Sequence, residues 1–291
     1  MDLSLTAEQE MLKAAVNRFI QQEYPKETLL EMQDSGEVTP SQPWRKLVET
    51  GWLGIAIPEE YRGAGLGIVD AAIMMQAIAE SGGGNSAASA VHMNIFGLNP
   101  VVKFGTDDQK KKHLPPLVAG AQRACFGVTE PTTGLDTTKL KTRAVRQGDR
   151  YVVHGQKVWI STAQVADKIL LLARTTPLEE VKKPTEGLSL FYTDLDRTFV
   201  TVREIEKMGR KCVDSNELFI DGLPIPAEDL IGEEGQGFRQ ILHGLNPERV
   251  LIAAEAVGIG RNALRRAADY ANERVVFGRP IGQNQGVQHP L

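Results

Sequence analysis

Apolar side chains near the start of the chain recur every three or four positions, at Leu12, Ala15, Val16, Phe19 and Ile20. That period puts them on one face of a helix. Thr6-Ala7-Glu8-Gln9 opens it as a capping box and Pro25 closes it. The same reading predicts helices from about Pro43 to Glu49, from Ile68 through Ala79, and from Ala87 to Phe104 with an interruption at Pro100. A second capping box, Thr106-Asp107-Asp108-Gln109, opens a short helix that meets Pro115-Pro116. Residues 1–120 therefore read as a helical domain.

Past Ala121 the pattern shortens to period two or to brief apolar runs: Tyr151 to Val153, Val158 to Ile160, Ile169 to Ala173, Leu188 to Tyr192, Phe199 to Val202 and Glu217 to Ile220. His154-Gly155 reads as a turn between the first two. Such spacing predicts an antiparallel sandwich or barrel over residues 121–232. Gly235-Gln236-Gly237 reads as a hinge, after which the helical period returns through Ile241, Leu245, Val250, Ala253 and Val257. Asn246-Pro247 reads as a helix start. A last helical run begins near Asn284 and meets Leu291 without a stop signal, so residues 233–291 are expected to open a helical bundle that continues beyond this chain. The predicted fold class is multidomain α and β: an N-terminal helical domain, a middle antiparallel β-sandwich or barrel, and an incomplete C-terminal helical bundle.

Composition narrows the partners. The 291 residues are 42% hydrophobic and 24% charged, which suits a folded chain rather than a disordered one. A net charge of −4 gives no long-range pull on phosphate backbones, and Lys110-Lys111-Lys112 reads as a solvated helix face, so nucleic acid is not expected. The longest aliphatic run, Ile169 to Ala173, falls far short of the ~20 residues of a membrane helix. An intracellular soluble protein is expected, cytoplasmic if bacterial, with mitochondrion or peroxisome left open. Cys125 and Cys212 stand far apart and read as buried free thiols, and no metal site is expected. The five histidines share no ligand spacing.

Three segments carry chemistry: Val128-Thr129-Glu130-Pro131, Gly155-Gln156-Lys157-Val158-Trp159-Ile160-Ser161, and Arg274 through Gly282 leading to Gln285. Phe126, Val128, Thr129, Trp159 and Ser161 offer backbone amides, small hydroxyls and flat apolar walls, the set an isoalloxazine ring wants. Trp159 could equally be an inward core residue and Thr129 a turn former. Arg274, Phe277 and Gln285 offer cationic, stacking and amide groups suited to a pyrophosphate and adenine, or else a solvated arginine and a core phenylalanine.

Together with the Leu5-Thr6-Ala7-Glu8-Gln9 opening and Ile57 through Gly65, these segments resemble the acyl-CoA dehydrogenase family in register along the whole chain. The resemblance implies FAD bound by Thr129, Ser161 and Trp159, with Phe126 and Val128 beside them. It implies that Arg274, Phe277 and Gln285 reach the FAD of a neighbouring subunit in a homodimer or homotetramer. It implies α,β-dehydrogenation of an acyl-CoA thioester, a carboxylate taking the α proton while hydride passes to flavin and electrons leave to an electron-transfer flavoprotein. In most of the family that glutamate lies in helices beyond this chain. A smaller branch places it where this sequence reads Leu245-Asn246-Pro247-Glu248-Arg249, which makes Glu248 the candidate base and Asn246 and Arg249 candidate substrate contacts. The alternative reading of Glu248 is a dipole-favoured residue of a first helical turn. Where many relatives read Gly-Ala-Gly-Ser, this chain has Thr132-Thr133-Gly134-Leu135, so a serine that contacts CoA is replaced by Leu135. The alternatives are a truncated, inactive member serving as a binding subunit, and an acyl-CoA oxidase or flavin monooxygenase.

Overall fold

The computed structural model describes residues 4–35, 41–210 and 212–291. The chain opens with α1 (Ala7–Glu23), α2 (Lys26–Ser35), α3 (Ser41–Glu49), α4 (Ile68–Ile78), α5 (Gly84–Phe96), α6 (Asn99–Phe104) and α7 (Asp107–Val118). Both capping boxes form. The Gln9 amide donates to Thr6 Oγ1 at 3.3 Å and the Gln109 amide to Thr106 Oγ1 at 3.2 Å, and each glutamine side chain accepts from its cap's own amide. The sequence pattern missed α2, which starts on Pro25, whose carbonyl accepts from the Leu29 amide. α7 runs through Pro115 and Pro116 instead of stopping there. Leu114 and Leu117 are fully buried on either side, and that packing outweighs the missing amides.

Strands follow: β1 (Ala124–Gly127), β2 (Arg143–Gln147), β3 (Arg150–Ser161), β4 (Lys168–Arg174), β5 (Leu188–Asp194), β6 (Val200–Glu204), β7 (Ser215–Pro226) and β8 (Leu230–Ile231). The sheet order is β6-β7-β3-β2-β4-β5-β8, antiparallel except that β1 and β2 each meet β4 parallel. Alternation explains the unbroken apolar run of β4. Ile169, Leu171 and Ala173 enter the core of the β layer with Tyr151, Phe191 and Ile220. Leu170 and Leu172 face a second core with Leu98, Leu114 and Ile241 of the helices. A strand covered on both faces has no polar positions to alternate with. His154-Gly155 is not a turn: β3 is one twelve-residue strand whose register against β7 slips after Val153 and again between Lys157 and Ile160. These are bulges, which share glycine and polar residues with turns.

α8 (Gly237–Glu273) is a single 37-residue helix. Pro247 lies in its interior, so Asn246-Pro247 starts no helix, and Glu248 is not in a first turn. The buried stripe Ile241, Gly244 and Leu251 binds α8 to two cores at once, the helix–sheet core and the N-terminal helical core, and carries it past the proline. Nor is the preceding glycine segment a free hinge. The Gly235 amide donates to Ser189 Oγ at 2.8 Å, and a Cβ on Gly237 would lie 2.7 Å from Ser189 backbone. Beyond α8 come the hairpin β9 (Val275–Val276) and β10 (Arg279–Pro280), and the short α9 (Gln285–Gln288). The outer face of α8 and the hairpin leave Val257, Leu264, Tyr270, Val275 and Phe277 exposed. Among the described residues no helix is long and apolar enough to cross a membrane, and no group of side chains could hold a metal ion. Cys125 is buried as expected, while Cys212 is only half-buried.

Candidate active site

The loop after β1 lies along β3. The Val158 amide donates to Thr129 O at 2.9 Å, which brings Phe126, Val128 and Thr129 beside Trp159 and Ser161. Underneath, the fully buried Lys157 donates through Nζ to Val128 O at 3.0 Å, Leu172 O at 2.8 Å and Glu130 Oε1 at 2.9 Å. Glu130 also accepts the amides of Lys141 and Thr142 at 2.6 and 2.9 Å. Burial pushes the Lys157 ammonium down to about 8 against the pull of Glu130. For Glu130 burial works the other way, but the charge of Lys157 and the donors from Thr142 and Lys141 prevail and lower it. This buried pair fixes the platform from which the site residues project.

Trp159 is not an inward core residue. It sits in the second β3 bulge at φ 62°, a left-handed conformation that a bulky residue rarely adopts, and its side chain is 61% exposed. Thr129 and Ser161 are half-buried beside it. The result is an open aromatic wall flanked by two hydroxyls.

On the helical side, Glu248 and Glu255 are seven residues apart on α8, hence on one face. His92 of α5 stands between them, Nε2 3.0 Å from Glu248 Oε2 and Nδ1 3.0 Å from Glu255 Oε1. The Glu248 side chain is 28% exposed and that of Glu255 1%. Burial opposes a charged imidazole here, yet the two carboxylates outweigh it and bring His92 up to about 9. Arg210, in the loop before β7, donates to Ser89 Oγ one turn from His92, and feels the carboxylates of Glu255, Asp214 and Glu248. Both Ser89 and Arg210 line a cavity of about 790 Å³ between the N-terminal helices and that loop, walled also by Trp44, Ile78, Val91 and Thr162. Its size is that of a small-molecule site.

The remaining residues named from sequence are scattered. Arg249 donates to Asn246 Oδ1 at 2.6 Å, both exposed near Glu248. Arg274, Phe277 and Gln285 lie at the far end of α8. Twenty-six residues at ~1.5 Å each put Arg274 about 40 Å along the helix from Glu248. Phe277 is 99% exposed at the hairpin tip, and Leu135 is fully exposed in its loop. Sequence reasoning missed His92, Glu255, Arg210 and the Lys157–Glu130 pair. The one local signal was a pair of glutamates at i and i+7 on an apolar helical stripe.

Three domain descriptions match the chain: acyl-CoA dehydrogenase N-terminal domain over residues 6–121, middle domain over 125–223, and C-terminal domain over 235–291. The chain belongs to the acyl-CoA dehydrogenase family. An acyl-CoA dehydrogenase of Bacillus subtilis is 34% identical over 291 residues, covering 99% of this chain and 75% of its own length. The acryloyl-CoA reductase (NADH) of Anaerotignum propionicum is 34% identical, with 99% and 72% covered. Among solved structures, the acyl-CoA dehydrogenase of Geobacillus kaustophilus superposes with a TM-score of 0.92 at 29% identity, covering all of this chain and 75% of that one. Acyl-CoA dehydrogenases are flavoprotein oxidoreductases of fatty acid metabolism that typically oligomerise, and this chain spans about three quarters of the length of these relatives.

Proposed function

We propose that this acyl-CoA dehydrogenase family member carries out α,β-dehydrogenation of an acyl-CoA thioester with FAD, and that Glu248 takes the α proton. The observation that carries the reading is the placement of Glu248. It is a partly buried carboxylate on the inward stripe of α8, held by His92, in the same cluster as the arginine that lines the cavity. A general base needs a group that is ordered yet reachable.

The residues present fit a flavin. The uncovered Trp159 indole is held out by a strained backbone beside the Thr129 and Ser161 hydroxyls, a stacking wall with donors at its edge. When bound, FAD supplies the acceptor for the β hydrogen and its electron pair. The chain's own residues do the rest. Thr129 and Ser161 would hold the flavin through their hydroxyls, with Phe126 and Val128 beside them. Asn246 and Arg249, beside Glu248, meet the CoA portion. Glu248 accepts the proton as the α C–H bond breaks, and that bond's electron pair becomes the new double bond.

As the family resemblance implies, Arg274, Phe277 and Gln285, beyond the far end of α8, would reach the FAD of a second subunit in a homodimer or homotetramer. An electron-transfer flavoprotein is the acceptor. One chain that superposes here, with a TM-score of 0.91, comes from a structure of the electron transferring flavoprotein of Acidaminococcus fermentans.

The test is the visible spectrum of the purified protein before and after anaerobic addition of a panel of acyl-CoAs. A flavin band that bleaches, and that no longer bleaches in Glu248→Gln, is the expected result. Absence of flavin, or bleaching untouched by the substitution, would overturn the reading.

A further inference from the structure

The contacts of His92 go beyond holding α5 against α8. A neutral imidazole carries one N–H, so it can serve only one of two carboxylates, and the other would face a lone pair at 3.0 Å. Only the imidazolium suits both. Glu248 and Glu255 on α8 face His92 on α5 and Arg210 on the loop before β7, which also feels Asp214, while Arg249 is turned to Asn246. Glu255 is nearly sealed from solvent, and an unpaired carboxylate there would be costly. The ring is also fixed edge-on against Phe96 with centroids 5.0 Å apart, and Phe96 against Phe126 at 5.1 Å. His92 is thus packed by an aromatic chain that ends on the strand proposed to lie under the flavin.

We propose that His92 and Glu255 are a positioning pair for Glu248: an imidazolium anchored on its far side by a buried carboxylate, holding the Glu248 carboxylate in one orientation for proton abstraction. The inference rests on the reading of Glu248 as the base. No proton passes to His92 in this scheme. It keeps both N–H bonds throughout, and Glu248 alone takes up the substrate proton. The imidazolium survives through neutral pH and loses its proton as pH rises through about 9, and the hold on Glu248 goes with it.

Two measurements test the pair. The first needs neither flavin nor turnover: NMR of the protein labelled at its histidines, with His92 assigned through His92→Gln. The expected result is a doubly protonated His92 ring through pH 8, its midpoint lowered in Glu255→Gln and in Glu248→Gln. A neutral ring at pH 7 overturns the proposal. The second follows flavin bleaching by acyl-CoA in the flavin-loaded protein. His92→Gln should slow bleaching by about 10–100-fold, as misplacing a catalytic group does, while the Kd for acyl-CoA stays within about threefold. The fall in rate above pH 9 should vanish in that variant. Glu255→Gln, nearly isosteric, should show a smaller loss of the same kind and keeps the test open if His92→Gln does not fold. Full bleaching rates in both variants overturn the positioning role while leaving Glu248 as base. Full rates in Glu248→Gln overturn the base assignment and the positioning role with it.

Discussion

Replacing Lys157 with Met separates the two jobs of the buried pair. Methionine fills nearly the same volume, so the change removes charge and donors with little cavity. Val128 O and Leu172 O lose their donor, and Glu130 is left buried with only the amides of Lys141 and Thr142. Breaking one partner of a sealed ion pair costs about 3–5 kcal/mol, because the survivor's charge stays desolvated. That should lower the melting temperature by roughly 6–15 °C in a chain of this size. The double variant Lys157→Met, Glu130→Gln removes the stranded charge and keeps an acceptor for one of the two amides. It should therefore recover most of the loss, ending within about 2 kcal/mol of the parent. Urea midpoints at unchanged slope give the stabilities. The same samples give the ratio of flavin to protein absorbance, which should fall in the single variant because Thr129 and Trp159 project from the loop and strand that Lys157 ties together. A single variant within about 1 kcal/mol of the parent, or a double variant no better than the single, would refute the argument that charge burial is what the pair balances.

Three further outcomes are expected. Trp159→Gly relieves a left-handed backbone and removes an exposed ring, so stability should stay within about 1 kcal/mol of the parent while flavin is lost. A core-sized loss of stability would show the indole to be structural. Phe277→Ser should leave thermal unfolding of the subunit unchanged, since the ring touches solvent only, while shifting sedimentation toward smaller species; an unchanged distribution would remove the hairpin from the subunit interface. Raising His92 from its ordinary 6.5 to about 9 corresponds to about 3 kcal/mol of stability, fully present below pH 6.5 and lost as pH rises through 9. The stability difference between the parent and His92→Gln should shrink accordingly between pH 6 and pH 9.5, and a difference that is flat with pH would refute the charged ring.

What the sequence revealed follows from how local each feature is. The capping boxes at Thr6 and Thr106 are legible because both partners lie within one turn. The order of helices, strands and helix is legible because each period repeats many times. The His154-Gly155 bulge and Pro247 were misread because a bulge looks like a turn, and a proline like a start, until the opposing strand or core is in place. His92 could not be assigned at all: its carboxylates lie more than 150 positions away, and only the packing of α5 on α8 joins them.

The positions that break local rules are not spread evenly. Trp159 breaks the rule that bulky residues avoid left-handed backbone, Lys157 the rule that lysine stays at the surface, and Glu255 the rule that an apolar stripe carries no charge. A chain selected for stability alone has cheaper choices at each: glycine at the first, a hydrophobic residue at the others. Each exception stands next to a group proposed to touch flavin or substrate. Trp159 is the ring wall, Lys157 fixes Thr129, and Glu255 anchors the imidazole that holds Glu248. Local conflict that the surrounding fold sustains is what a functional site looks like from the sequence side. The same criterion leaves out the cysteines, the lysine run and the glycine connector, which break no rule.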